Sequence, residues 1–436
     1  MVMEKASFAL KGTICYAKTM GELETLDQGY VVCRQGICEG AYPVLPKEYE
    51  GLPVIDYKNM LIIPGLVDLH IHAPQYPSQG LGLDLELLDW LKAHTFPEES
   101  RYGDMEYAKK AYRIFAQDLK NSATTRAVIF STIHTDAAKF LMEALNDAGL
   151  VAFVGKVNMD QNCDDRLKED TDASIEATVS WLDETLGKYE TVRPILTPRF
   201  APSCSEALLE GLGGLQKKYK IPVQSHLSEN LSEISWVKEL FPWSSCYGDV
   251  YERFGLFGGE AKTVMAHCVY SSKEEVARIK QNGVHVAHCP QSNVNLASGI
   301  APIRKYLDEG IAVGLGTDVA GGASMSMFRC IVDAICVSKL YWRLLDQSKK
   351  PLTMEEAFYL ATKGGGAFFG KVGSFEKGYE MDALVLDDGK MNDVRKLDAK
   401  QRLERYFYLA EEKGRIAAKY VGGADIWNQF SNMRKT

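Results

Sequence analysis

Short apolar runs recur through the middle of this chain, each followed by a loop and an amphipathic stretch. The runs are Leu61–His70, Ala127–Ser131, Val151–Val157, Pro194–Thr197, Ile221–His226, Thr263–His267, Val284–His288 and Ile311–Thr317. Their length and their Val and Ile content read as strands. Between them, Ser174–Tyr189, Ser205–Tyr219 and Lys273–Asn282 carry helical periodicity. Eight strands alternating with helices predict an α/β fold, a (β/α)8 TIM-like barrel. Residues 7–63 have a different pattern, with β-like runs such as Phe8–Cys15 and Tyr30–Cys33 separated by turns. After the barrel, Met381–Leu386 reads as a strand able to rejoin that unit, and Lys400–Tyr420 as one or two helices. The expected division is residues 1–63 and 376–436 as a small β-sandwich domain, and 64–375 as the catalytic barrel. Gly364-Gly365-Gly366 reads as a turn in a helical region, not as a phosphate cradle.

The chain has 436 residues, 46% of them hydrophobic, enough for a barrel plus a smaller unit. A net charge of -8 argues against a general basic surface for nucleic acid. The start, MVMEKASFALKGTI, lacks a basic region followed by an apolar core, and no uninterrupted apolar run is long enough to span a bilayer. Neither a membrane nor a secretory signal is therefore expected. The ten cysteines are scattered, with no C-x-x-C pair. They fit buried small apolar residues in a reducing cytoplasm better than a zinc finger or a redox dithiol.

The chemistry lies at the ends of the apolar runs. His70 and His72 are two apart on one strand, so both imidazoles share a face. His226, His267 and Asp318 each end or follow another run, and Glu229 lies three residues past His226. A histidine at a strand end is either a ligand or a satisfied core residue. His267 fits a catalytic group as well as a ligand. Asp318, after the apolar IAVGLGT, needs a metal or a histidine beside it unless it only caps a helix. Glu229 is either a solvated first-turn residue or a proton shuttle beside a metal. His288 reads equally as structural or pocket-lining, and His94, His134 and His285 as surface or packing residues. Three histidines and one carboxylate from this inventory, with an open position, suit one zinc per chain, with iron(II) as the alternative. Such a metal makes hydroxide available at neutral pH, so hydrolysis or deamination is the expected reaction class.

Five segments, PGLVDLHIH (Pro64–His72), SHLSEN (Ser225–Asn230), AHCVY (Ala266–Tyr270), HCPQSN (His288–Asn293) and GLGTD (Gly314–Asp318), together resemble the amidohydrolase superfamily. The run PILTPRF has Arg199 where a bridging lysine would end strand four, which resembles the mononuclear branch. HAPQYPSQG (His72–Gly80), LLDWLKAHTFPEE (Leu87–Glu99) and LTPRFAPSCS (Leu196–Ser205) resemble the members that deaminate guanine. The resemblance implies a purine base as partner, contacted by Gln75, Trp90, Arg199 and Phe200. It makes His70, His72, His226 and Asp318 the metal ligands and Glu229, His267 and Asp318 catalytic, and a cytoplasmic homodimer is the accompanying expectation. Arg199 would donate to the carbonyl at C6, Gln75 would read a ring edge, and Phe200 would face the base. Each also has a structural reading: Arg199 paired with a carboxylate, Gln75 capping its loop, Trp90 packing a lid. Two alternatives remain open: a related deaminase or chlorohydrolase acting on an adenosine-like or triazine substrate, and a non-catalytic barrel.

Overall fold

A computed structural model describes residues 6–260, 262–391 and 393–427. Its strands in chain order are β1 (Phe8–Thr19), β2 (Glu22–Arg34), β3 (Ile37–Tyr42), β4 (Val54–Pro64), β5 (Leu66–His72), β6 (Thr124–Phe130), β7 (Val151–Gly155), β8 (Val157–Asn158), β9 (Val192–Pro194), β10 (Thr197–Pro198), β11 (Val223–Leu227), β12 (Thr263–His267), β13 (His285–His288), β14 (Val313–Leu315), β15 (Ala383–Asp387), β16 (Arg415–Val421) and β17 (Ala424–Asp425). Two four-stranded parallel sheets, β5-β6-β7-β9 and β11-β12-β13-β14, carry the predicted strands. Leu196 bridges to Val223 on one side of the pair. On the other side Asp318 N–H donates to the His70 carbonyl (2.8 Å) and His72 N–H to that of Val319 (3.1 Å). The arrangement is a TIM-barrel-like α/β fold. Every residue of β5 and of β6 is buried, which is why these strands read as continuous apolar runs and do not alternate.

The apolar run at Leu61–His70 is two strands, not one. β4 ends at Pro64 and pairs with β15, whereas β5 starts at Leu66 and pairs with β6. Gly65 is the joint: a Cβ there would lie 2.2 Å from Thr125 Oγ1, so only glycine allows the chain to cross so close to β6. The runs at Val151–Val157 and Pro194–Thr197 are likewise split. In the latter, Pro194 and Pro198 each end a short strand.

The terminal segments meet as expected, but in one seven-stranded sheet, β17-β16-β15-β4-β1-β2-β3, and not in two facing ones. Period-two alternation gives this sheet two apolar faces. Leu10, Ile14, Ile62 and Val385 point into one core, while Cys15, Leu61, Ile63 and Leu384 join the main core of the barrel. The stretch Lys400–Tyr420 is one helix, Ala399–Lys413, followed by β16. Gly414 ends the helix, and RIAAKYV pairs with β15 instead of continuing it. Gly364–Gly366 lies within a helical segment and is not a turn. Helices Glu206–Tyr219 and Lys273–Asn282 start at side-chain caps from Ser205 and Ser272. The helix expected over Ser174–Tyr189 is Thr171–Thr185, capped by Asp170 and stopped before Gly187, which has positive φ. No helix among the described residues is long and apolar enough to cross a membrane.

Candidate active site

His70 and His72 project from the same face of β5, and the backbone behind them is strapped to the far side of the ring. Asp68, on the same strand, accepts from His70 N–H (3.1 Å), Thr317 N–H (3.0 Å) and Thr317 Oγ1 (2.5 Å). It therefore fixes His70 against the loop that carries Asp318. His226 on β11 donates from Nδ1 to the carbonyl of Arg199 (2.6 Å), which leaves its Nε2 lone pair free. His267, ending β12, places Nδ1 2.9 Å from Asn293 Oδ1. His267 and Asp318 both have left-handed backbones, with φ of 73° and 49°. Non-glycine residues hold such conformations only where their surroundings impose them, and they concentrate at functional positions.

Donor atoms converge in two groups that share His70, one with His72 and His226 and one with His267, Cys289 and Asp318. His72 Nε2 lies 3.2 Å from His70 Nε2 and 3.2 Å from His226 Nε2. Asp318 Oδ1 is 3.1 Å from His70 Nε2 and 3.4 Å from His72 Nε2. Donors about 2.0–2.1 Å from a tetrahedral zinc ion stand roughly 3.3–3.4 Å from each other, so this spacing fits the ion. Protonation fits as well. Burial, reinforced by neighbouring imidazoles, pushes His72 and His226 well below the usual histidine range. Burial works against ionising Asp318, but His70, His267 and His72 outweigh it and hold its carboxyl well below the usual range. Cys289 also lies near His70, His267 and Asp318. Burial drives its thiol well above the ordinary value, so it stays protonated and is a poor ligand at neutral pH.

Beside this set lies a small cavity. Glu229 lines it and is 3% exposed. One carboxylate oxygen accepts from Ser298 Oγ (2.9 Å), and the other lies 3.4 Å from His267 Nε2. Burial, with a further push from Asp318, raises this carboxyl from 4.5 to about 7. His267 is moved up: burial opposes its charge, but Glu229 and Asp318 favour it more.

Gln75, Trp90, Arg199 and Phe200 line the same cavity. Trp90 donates its indole N–H to the Leu81 carbonyl (3.1 Å), so it presents only ring surface. Arg199 is paired with a carboxylate, as its structural reading allows. Its Nη1 donates to Glu99 Oε2 at 2.5 Å, with both side chains buried. His288 ends β13 fully buried, outside the cavity lining, and neither ring nitrogen has a partner among the described residues. Burial lowers it to about 3.

Sequence reasoning missed four supports: Glu99, Ser298, Asp68 and Glu233. Glu233 accepts from Glu229 N–H (3.0 Å), Asn230 N–H (3.3 Å) and Tyr247 Oη (2.8 Å). Two of the four had a readable signal. Asn230-x-x-Glu233 is a capping box. Asp68 is a carboxylate inside an apolar strand, in register with His70 and His72. Glu99 and Ser298 act across long sequence separations and had none.

The model of the Amidohydrolase family matches residues 61–423. The chain belongs to the amidohydrolase family. This amidohydrolase is 36% identical over 447 residues to guanine deaminase of Dictyostelium discoideum, covering 95% of the chain and 97% of that protein. It is 41% identical over 379 residues to guanine deaminase of Homo sapiens, covering 84% of the chain and 82% of the relative. The crystal structure of a guanine deaminase from C. acetobutylicum with bound guanine in the active site superposes with a TM-score of 0.94 at 46% identity, over 97% of this chain and 100% of that one. A triazine hydrolase from Arthobacter aurescens shares the fold at a TM-score of 0.84, 19% identity, 96% of this chain and 94% of that one.

Proposed function

We infer that this amidohydrolase is a guanine deaminase, converting guanine and water to xanthine and ammonia. One observation carries the reading. A single cavity joins a four-donor metal set and a buried carboxylate raised toward neutrality to a wall of Gln75, Arg199 and Phe200. His70, His72, His226 and Asp318 would hold one zinc ion per chain, iron(II) being the alternative. When bound, that ion acidifies water to a pKa of about 7 and orients it.

The chain's own groups do the rest. Glu229 accepts the proton of the attacking water and delivers it to N3 of the base, which makes C2 electrophilic. The water oxygen bonds to C2. Asp318 and His267 orient the nucleophile and stabilise the developing charge. Glu229 then takes the proton of the hydroxyl now bonded to C2 and passes it to the amine, the C2–N bond breaks as the C2 carbonyl forms, and ammonia leaves. Arg199 donates to the C6 carbonyl through the part of its fork that Glu99 leaves free, Gln75 donates to the ring edge, and Phe200 and Trp90 sandwich the base.

The finer architecture belongs to the same proposal. The hydrogen bonds at Leu196–Val223 and His70–Asp318 support one closed eight-stranded barrel over 64–375. Residues 1–63 and 376–436 would form the small domain. The free cysteines fit a reducing cytoplasm. Exposed Leu340, Leu344 and Leu345 offer a face for a second copy in a homodimer. Incubating guanine with purified, zinc-loaded protein and following its ultraviolet absorbance tests the activity. Conversion to xanthine with stoichiometric ammonia supports it, and unchanged guanine overturns it.

A further inference from the structure

Gln75 and Arg199 reach the cavity from loops far apart in the chain, yet one carboxylate holds both. Glu99, in the helical turn Phe96–Ser100, is 1% exposed. Its Oε1 accepts from Gln75 Nε2 (3.0 Å) and its Oε2 from Arg199 Nη1 (2.5 Å). The opposite end of Gln75 is also fixed, because its Oε1 accepts from Ala320 N–H (3.2 Å). Turning the amide over would break both bonds, so one Nε2 hydrogen remains for the cavity. The Phe96 ring lies 5.3 Å from the Arg199 guanidinium carbon and further confines it.

We propose that Glu99 is a positioning residue that also makes this wall of the pocket electrically neutral, so that the site takes neutral purine bases and disfavours anionic ones. The proposal rests on the guanine deaminase reading and adds a charge rule to it. A buried guanidinium without a counter-charge attracts any anion that reaches it, and strongly so in a site poor in water. Guanine is neutral near pH 7. Xanthine is the stronger acid and is partly anionic there. An unpaired Arg199 would hold the ionised product, whereas the Arg199–Glu99 pair favours substrate over product. Glu99→Gln should break this arrangement in a specific way. A carboxamide has one acceptor oxygen for two donors, so it leaves a donor facing a donor and the guanidinium charge uncompensated.

The test uses zinc-loaded wild type, Glu99→Gln and Glu99→Asp, with guanine kinetics and calorimetric xanthine binding at about pH 6 and about pH 8.5. Glu229, Glu233, His267 and Asp318 also face the cavity but are common to all three proteins, so the contribution of Glu99 is read from the difference between them. Wild type should bind xanthine more weakly as the ligand ionises. Glu99→Gln should reverse that trend and bind xanthine at least about tenfold more tightly than wild type at the higher pH. Its guanine KM should rise more than its kcat falls, with zinc content unchanged. Glu99→Asp keeps the charge, so it should retain the wild-type xanthine trend while guanine KM rises. Wild-type xanthine binding that strengthens or stays level with pH overturns the proposal, whether or not Glu99→Gln folds. So does a folded Glu99→Gln that keeps the wild-type trend. Wild type that binds xanthine with the expected trend but leaves guanine unchanged overturns the functional reading and not the charge rule.

Discussion

The metal end of the cavity and its base-reading wall are built differently. The metal end stands on strands: His70, His72, His226 and His267 lie within β5, β11 and β12, and Asp318 follows β14. Their backbones are locked by sheet hydrogen bonds and by the Asp68 strap. The wall stands on connections. Gln75 follows β5, Trp90 and Glu99 sit in the insertion before β6, and Arg199 follows β10. One carboxylate, Glu99, fastens two of its base-reading groups. In the proposed function the rigid part would carry the metal chemistry, and the part assembled from loops the choice of substrate.

If that separation is right, variants at the two ends should fail differently. The largest effect belongs to His70→Ala combined with His72→Ala, which should abolish both metal binding and turnover. Elemental analysis and an activity assay check this, and full activity after chelation would contradict it. Next comes Glu229→Gln, which keeps shape but cannot accept the water proton. It should retain zinc and lose at least about 100-fold in kcat. Near-normal turnover would make Glu229 a bystander, and lost zinc would make it a ligand. Asp68→Asn loosens the strap without touching the donor set, and should weaken metal affinity by about 10- to 100-fold, read by competition with a chelator. An unchanged affinity would show that β5 needs no such brace.

The smallest effect is a change of shape in the pH profile. A carboxylate that must be ionised to act, and whose folded value is raised from 4.5 toward about 7 mainly by burial, loses its active form as pH falls. The acid limb of kcat/KM should therefore lie above the usual carboxylate range. Glu229→Gln should lack that limb, and its persistence in the variant would assign the limb to another group.

The same division decides what the sequence revealed. A strand fixes side-chain direction by alternation, so His70 and His72 were readable as a pair, and barrel order placed His226, His267 and Asp318 at the matching ends. The break inside Leu61–His70 falls at Pro64-Gly65, a turn dipeptide, but apolar halves on both sides make the segment read as one run. β16 was taken for helix because its partner, β15, lies far away in sequence. Arg199, Gln75 and Phe200 came from resemblance alone. Glu99, the common anchor of Gln75 and Arg199, was hidden because its partners are 24 and 100 residues away.

The central claim is that this wall selects guanine for the chemistry beside it. It is tested most directly by a kinetic panel of guanine, adenine, adenosine, cytosine and a chlorotriazine on wild type and Arg199→Met. A site built to hydrogen-bond one base rejects analogues that leave its buried groups unmatched by as much as about 10⁴-fold. The expected result is efficient turnover of guanine, little or none of the other four, and a heavy loss of guanine turnover in Arg199→Met at unchanged zinc content. Wild-type preference for any of the other four, or an Arg199→Met enzyme that deaminates guanine normally, would contradict it.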